Sequence, residues 1–258
     1  YTIYERCIFM KRFIPCRKCA GNKKPGYIEK KIDNLPVLIE CDCHLKWRKE
    51  SELERKCIES NIRPDYKWED YKGTQSLADL DCLKKYSKDF NKFIYKTMVY
   101  VYGPNGTQKT SMVQALGKEL ISNDYSVMYT SMNDLINSLI SNYDVSEEEA
   151  ERKDFFLSKC SDCDLLIIDE SFDPKKVTLY KSGYQIPYLD SFLRSRFEIS
   201  KKSIIFVSNV KPSDIEKMGY GKSIEDFIRR NTSQSYLEFF DNYQRNCNAD
   251  FNPRGLFA

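Results

Sequence analysis

The eight residues GPNGTQKT, Gly103 to Thr110, constrain the fold of this chain more than any other stretch. They match G-x-x-x-x-G-K-[ST] at every fixed position but one, with Gln108 standing where the last glycine belongs. A loop of this kind cradles phosphate only when a strand delivers it and a helix leaves it. Backbone N–H groups and the positive end of the helix then face one anion. Both flanks are present: the apolar run MVYVYG leads in, and KTSMVQALGKELI leads out as a helix expected from about Lys109 to Ser122. A further glycine, Gly106, lies inside the loop. The expected fold is α/β with a parallel sheet.

The remainder of the chain alternates in the same way. SVMYTSM follows the first helix, DLLIIDE follows the charged helical run SEEEAERKDFFLSKC, KKSIIFVSN follows PYLDSFLRSRFEI, and SYLEFFD comes last. Five short apolar runs bounded by turn residues predict a five-stranded, doubly wound parallel sheet. A chain of 258 residues that is 41% hydrophobic and 31% charged can bury one such core and a small accessory unit. No apolar run approaches the roughly 18 residues of a membrane span. No secretory pattern is recognisable at the start, so no membrane association is expected and the cytoplasm is the expected compartment.

Three stretches separate by composition. Residues 1–58 are rich in Cys and Lys and contain the hairpin-like run GYIEKKIDNLPVLIEC; residues 59–76 are a polar connector with scattered aromatics; residues 77–258 carry the α/β alternation. Charge divides along the same line. Up to Lys56 there are 14 basic and 8 acidic residues, against 27 and 30 beyond it. The basic excess makes a nucleic-acid or acidic-protein contact more plausible at the N-terminal end.

The chemistry expected of the loop needs partners. Lys109 supplies a cation for the outer phosphates and the Thr110 hydroxyl a magnesium ligand, with Gly103, Pro104, Asn105, Gly106, Thr107, Gln108 and Ser111 completing the binding run. DLLIIDE places Asp169 and Glu170 at the carboxyl end of a buried strand about 60 residues on. The aspartate can join the magnesium shell and the glutamate can orient or deprotonate the attacking water. Asn209 closes the strand SIIFVSN, from which a polar side chain can reach the terminal phosphate or that water.

In this order, GPNGTQKT, LLIIDE, LDSFLRSRFE and SIIFVSN resemble the AAA+ ATPases of the DnaC/IstB type, the bacterial and phage helicase loaders and their transposition relatives. The resemblance covers roughly Asn61 to Asn246. It implies that Lys109 and Thr110 are Walker A residues, Asp169 and Glu170 Walker B residues, and Asn209 sensor 1. It implies that NIRPDYKWEDY helps cradle adenine and that NYQRN, Asn242 to Asn246, is a closing segment. It also implies an arginine finger acting on a neighbour's ATP, for which Arg230 in IEDFIRRNTSQS is the better match and Arg229 the next. Seventeen residues follow SYLEFFD, so no C-terminal helical lid and no lid-borne sensor-2 arginine is expected. The function so implied is an ATP-dependent helicase loader in a bacterial or phage-infected cell, with ATP, Mg2+, a replicative DNA helicase, single-stranded DNA and self-association. A transposition ATPase of the IstB kind, or a zinc-bearing adaptor that binds nucleotide without turnover, are the alternatives.

CRKC supplies Cys16 and Cys19, and CDCH supplies Cys41, Cys43 and His44. A C-x2-C pair bends the chain so that two thiolates meet one metal, and a hairpin can return a second pair. Zn2+ bound by Cys16, Cys19, Cys41 and Cys43 in a zinc-ribbon-like domain is expected, with His44 the alternative fourth ligand. A unit of some 50 residues with few large apolar side chains is marginal alone, and structural zinc adds roughly 10–16 kcal/mol of apparent binding energy to comparable folds. Some loaders resemble this arrangement and use the zinc domain to grip the helicase. Cys160 and Cys163 form a second C-x2-C with no nearby pair, and Cys163 is expected to pack at the entry of the DLLIIDE strand. The segment SFDPKKVTLYKSGYQIP reads equally as a single-stranded DNA contact and as an ordinary exposed loop.

Overall fold

The computed structural model describes residues 12–33, 35–74, 76–95, 97–140, 146–233 and 235–239. The chain divides into two compact units, Tyr1–Ser60 and Asn61–Ala258.

In the first unit, strands β1 (Tyr27–Ile32) and β2 (Leu35–Glu40) pair antiparallel with Tyr27 opposite Glu40, forming the expected hairpin. An 18-residue helix, α1 (Asp42–Glu59), follows directly. Its i,i+4 ion pairs Lys46–Glu50, Lys56–Glu52 and Arg55–Glu59 lie on exposed turns. Composition pointed to cysteines and lysines here, and this helix was not anticipated.

The second unit opens with α2 (Leu77–Lys88) and the short α3 (Phe90–Phe93). Then come β3 (Met98–Tyr102), α4 (Lys109–Ser122), β4 (Val127–Ser131), α5 (Met132–Leu139), α6 (Glu147–Asp162) and β5 (Leu165–Asp169). After them follow α7 (Gln185–Arg194), β6 (Ser203–Ser208), α8 (Gly221–Thr232) and β7 (Tyr236–Glu238). The five strands form one parallel sheet in the order β4-β5-β6-β3-β7. Burial explains the order. LLIID of β5 and SIIFVS of β6 are buried at every position, as strands covered on both faces must be, whereas YLE of β7 is only half-buried.

One face carries α5, α7 and α8, whose Leu135, Leu189, Leu193, Ile224 and Phe227 pack with Leu166, Ile168, Ile204 and Phe206 of the sheet. The other carries α4, where Gly117 lets the helix close on Ile167 and Ile62: a Cβ there would stand 2.7 Å from the Ile62 side chain. The expected five-stranded α/β sheet is therefore present, and the loops after β3, β5 and β6 all emerge at its carboxyl edge. That edge is where open parallel sheets bind ligands. The expected closing segment Asn242–Asn246 lies outside the described residues.

Candidate nucleotide site

The loop after β3 takes a conformation that its sequence half dictates. Gly103 passes so close to the chain that an added Cβ would sit 2.1 Å from the Phe239 carbonyl oxygen. Gly106 has φ 83°, and Gln108 has φ 62° and ψ 14° at the N-cap of α4. The motif's missing glycine thus falls at a left-handed position, where a side chain costs about 1–2 kcal/mol. Gln108 has compensation: its Nε2 donates to the Asp70 carbonyl at 2.8 Å and its Oε1 accepts from the Lys72 N–H at 2.8 Å. Two such bonds contribute about 0.5–1.5 kcal/mol each, enough to offset the backbone strain.

Lys109 is buried and bound inside the loop. Its Nζ donates to the carbonyls of Gly103 and Pro104, each at 2.7 Å, and to Asn209 Oδ1 at 3.1 Å. Burial pushes the ammonium down to about 8, against the opposing pull of Asp169. Thr110 Oγ1 donates to Asp169 Oδ2 at 2.7 Å, and the Tyr129 hydroxyl donates to the same oxygen at 2.6 Å. Asn209 Nδ2 donates to Asn105 Oδ1 at 2.8 Å and to Asp173 Oδ2 at 3.2 Å. Glu170 follows with a left-handed φ of 52°, and its carboxylate pairs with Lys176 at 3.1 Å. Such strain at a polar strand end is a feature of functional sites.

Asp169, Glu170, Lys176 and Asn209 line one cleft of about 480 Å³ together with Asn105 to Ser111, Val207 and Ser208; Tyr129 and Asp173 reach it only through Asp169 and Asn209. Asp65, Tyr66, Asp70 and Lys72 complete its lining. The structure thus brings Lys109, Thr110, Asp169, Glu170 and Asn209 together, while Gly103 and Pro104 stand behind the loop as acceptors for the lysine. The Thr110 hydroxyl and Asp169 carboxylate make a hard-oxygen pair whose chemistry fits Mg2+. Arg230 is exposed on α8 and does not line the cleft; its neighbour Arg229 pairs with Glu225 at 3.4 Å. Sequence reasoning missed Tyr129, Asp173 and Lys176. Tyr129 carried no motif signal, because its role depends on β4 lying beside β5 with Ser131 opposite Asp169.

In the first unit the sulfurs of Cys16, Cys19, Cys41 and Cys43 lie within 4.8 Å of one another. Four contacts run from 3.4 to 3.8 Å, close to the ~3.8 Å edge of a tetrahedron built on ~2.3 Å zinc–sulfur bonds. The donor set fits zinc. Cys41 ends the hairpin and Cys43 sits in the first turn of α1, so a helix start carries the second pair. His44 is turned elsewhere: its Nδ1 meets Glu40 at 2.7 Å and its ring stacks on Trp47. Cys160 and Cys163 are buried at the end of α6 and belong to no metal-competent group among the described residues.

Comparison with known proteins agrees with this geometry. The chromosomal replication initiator DnaA of Neisseria meningitidis serogroup C is 25% identical over 224 residues, which are 79% of this chain and 40% of the relative. The chain therefore spans less than half the length of that relative. The replicative helicase loader DnaC of Buchnera aphidicola is 26% identical over 171 residues, 65% of this chain and 63% of the relative. A crystal structure of the DnaC helicase loader superposes with a TM-score of 0.51 at 16% identity, covering 68% of this chain and 97% of that one, which establishes likeness of fold. Among the described residues no helix is long and apolar enough to cross a membrane. The sequence model of the IstB-like ATP binding proteins matches residues 31–176, more than half of the chain. The chain belongs to this family of ATP-binding proteins, AAA+ in fold and of the DnaC/IstB type.

Proposed function

We propose that the chain is a magnesium-dependent ATPase that acts in DNA replication as a loader of the replicative helicase. The observation that carries this reading is the meeting of Lys109, Thr110, Asp169 and Asn209 at one cleft. The alignment with a replicative helicase loader over 65% of the chain supports the biological setting.

Lys109 engages the outer phosphates, and the N–H groups at the start of α4 surround them. Thr110 and Asp169 hold Mg2+, which neutralises charge on the phosphates when bound. Glu170 takes the proton of the attacking water, and Asn209 orients that water or the terminal phosphate. Arg230, exposed and outside the cleft of its own chain, acts on the ATP of a neighbouring copy. ATP binding then favours self-association and single-stranded DNA, for which the exposed rings of Tyr180 and Tyr184 offer a stacking surface. Residues 1–58 form a zinc domain that holds the helicase, 59–76 the adenine-side segment, and 77–258 the ATPase proper. The protein works in the cytoplasm.

Co-purification with the replicative helicase, with and without ATP, tests this directly; no association under either condition counts against the loader reading. One alternative is an IstB-like transposition ATPase on duplex DNA, consistent with the match to the IstB-like ATP binding proteins. Preference for duplex over single-stranded DNA with no helicase captured would select it. ATPase at background even with helicase and single-stranded DNA present would instead mark a non-hydrolysing adaptor.

A further inference from the structure

The segment Asn61–Lys72 is fastened along α4. The Arg63 N–H donates to Gln114 Oε1 at 2.9 Å, Lys118 Nζ donates to the Pro64 carbonyl, and Trp68 Nε1 donates to Glu119 Oε2 at 2.7 Å. These anchors hold the early part of the segment. Its last part, Asp70 to Lys72, lies against the phosphate loop and is gripped there by Gln108, whose amide pairs with the Asp70 carbonyl and the Lys72 N–H as a neighbouring β-strand would.

The cleft gives this grip a consequence. Lys109, Thr110 and Asp169 mark its phosphate end, and Asp65, Tyr66, Asp70 and Lys72 are the part of the lining left to the nucleoside of a bound triphosphate. Tyr66 is half-buried in that lining with the Arg63 guanidinium 4.7 Å from its ring centroid, and an aromatic ring is the kind of group on which a planar base stacks.

We infer that Gln108 is a positioning residue: it trades the glycine of the phosphate loop for an amide clamp that holds the nucleoside-side wall in place. The inference rests on the ATP-site reading above. It implies that Gln108 serves the nucleoside part of the ligand and not its phosphates.

The test compares affinity for ATP and for inorganic tripolyphosphate, together with KM and kcat for ATP. The chains compared are wild type, Gln108→Gly, Gln108→Met and Lys109→Ala. Gln108→Gly frees the backbone and removes the amide, whereas Gln108→Met keeps side-chain length and removes only the amide. Gln108→Gly is expected to weaken ATP binding about three- to tenfold through KM, with tripolyphosphate affinity nearly unchanged. Gln108→Met keeps a side chain at the left-handed position without the two bonds that offset its strain. It is expected to weaken ATP binding at least as much and to weaken tripolyphosphate as well. Unchanged or tighter ATP binding by Gln108→Gly overturns the inference, as does an equal loss for tripolyphosphate in that variant. Lys109→Ala separates the two layers. If it loses both ligands while Gln108→Gly loses neither, the clamp alone fails; if it binds both like wild type, the nucleotide site itself fails and the clamp with it.

Discussion

Asp169 receives three hydrogen bonds on one carboxylate, from Thr110, Tyr129 and the N–H of Glu170. Thr110 and Tyr129 share the same oxygen, so a ligand binding there competes with or replaces one of them. The Tyr129 hydroxyl, its pKa raised by burial, stays protonated and donates throughout the working pH range. Partners of this kind orient a metal-binding carboxylate, and their loss commonly costs metal affinity. Tyr129→Phe is therefore expected to raise the magnesium concentration for half-maximal ATPase several-fold while leaving the unfolding midpoint in urea nearly unchanged. An unchanged magnesium requirement would reduce Tyr129 to a packing residue. At this scale the motif located Lys109, Thr110, Asp169 and Asn209. It could not locate the clamp: Gln108 meets chain 36 and 38 positions away, and no local pattern encodes that approach.

Among the elements, a short stretch of π-helix, Ser195–Ile199, follows α7 and buries Arg196. The guanidinium donates to the carbonyls of Cys160, Ser161 and Cys163 and to Ser203, all between 2.7 and 2.9 Å. It thereby caps the end of α6 and ties it to the start of β6, satisfying carbonyls that a helix end leaves open. Burial lowers the pKa of Arg196, but not enough to discharge a guanidinium. Arg196→Met leaves these acceptors orphaned and is expected to cost at least about 3 kcal/mol in urea unfolding. A loss under 1 kcal/mol would mean that water replaces the bonds readily. The four-cysteine unit makes a similar demand. Purified protein should carry about one zinc per chain, and Cys19→Ser about none, with loss of helical circular dichroism from α1 on chelation. Retention of that signal after complete zinc removal would make the metal dispensable to the unit. The strands and α4 were legible because their apolar runs end at turn residues. Helix α1 was not, because its faces are mostly charged and its pairing cysteines dominate the pattern.

Across the molecule, parallel order accounts for the site. With β3 between β6 and β7, the chain returns to the sheet centre after building β4 and β5, and three strand ends from distant parts of the sequence open on one cleft. The alternation of helix and strand made the five-stranded parallel sheet readable in advance but not its strand order, and the spacing from GPNGTQKT to LLIIDE made the cleft's two poles readable. The lining from Asp65, Tyr66, Asp70 and Lys72 had no such signal, since a polar segment with scattered aromatics carries no periodicity and only a resemblance pointed to it. The central claim is that this cleft binds and hydrolyses ATP. It is tested most directly by measuring ATP binding and multiple-turnover hydrolysis in wild type, Lys109→Ala and Glu170→Gln. The account predicts loss of binding in Lys109→Ala, and near wild-type binding with turnover reduced at least about a hundredfold in Glu170→Gln. Full ATPase activity in Glu170→Gln, or undiminished binding in Lys109→Ala, would contradict it.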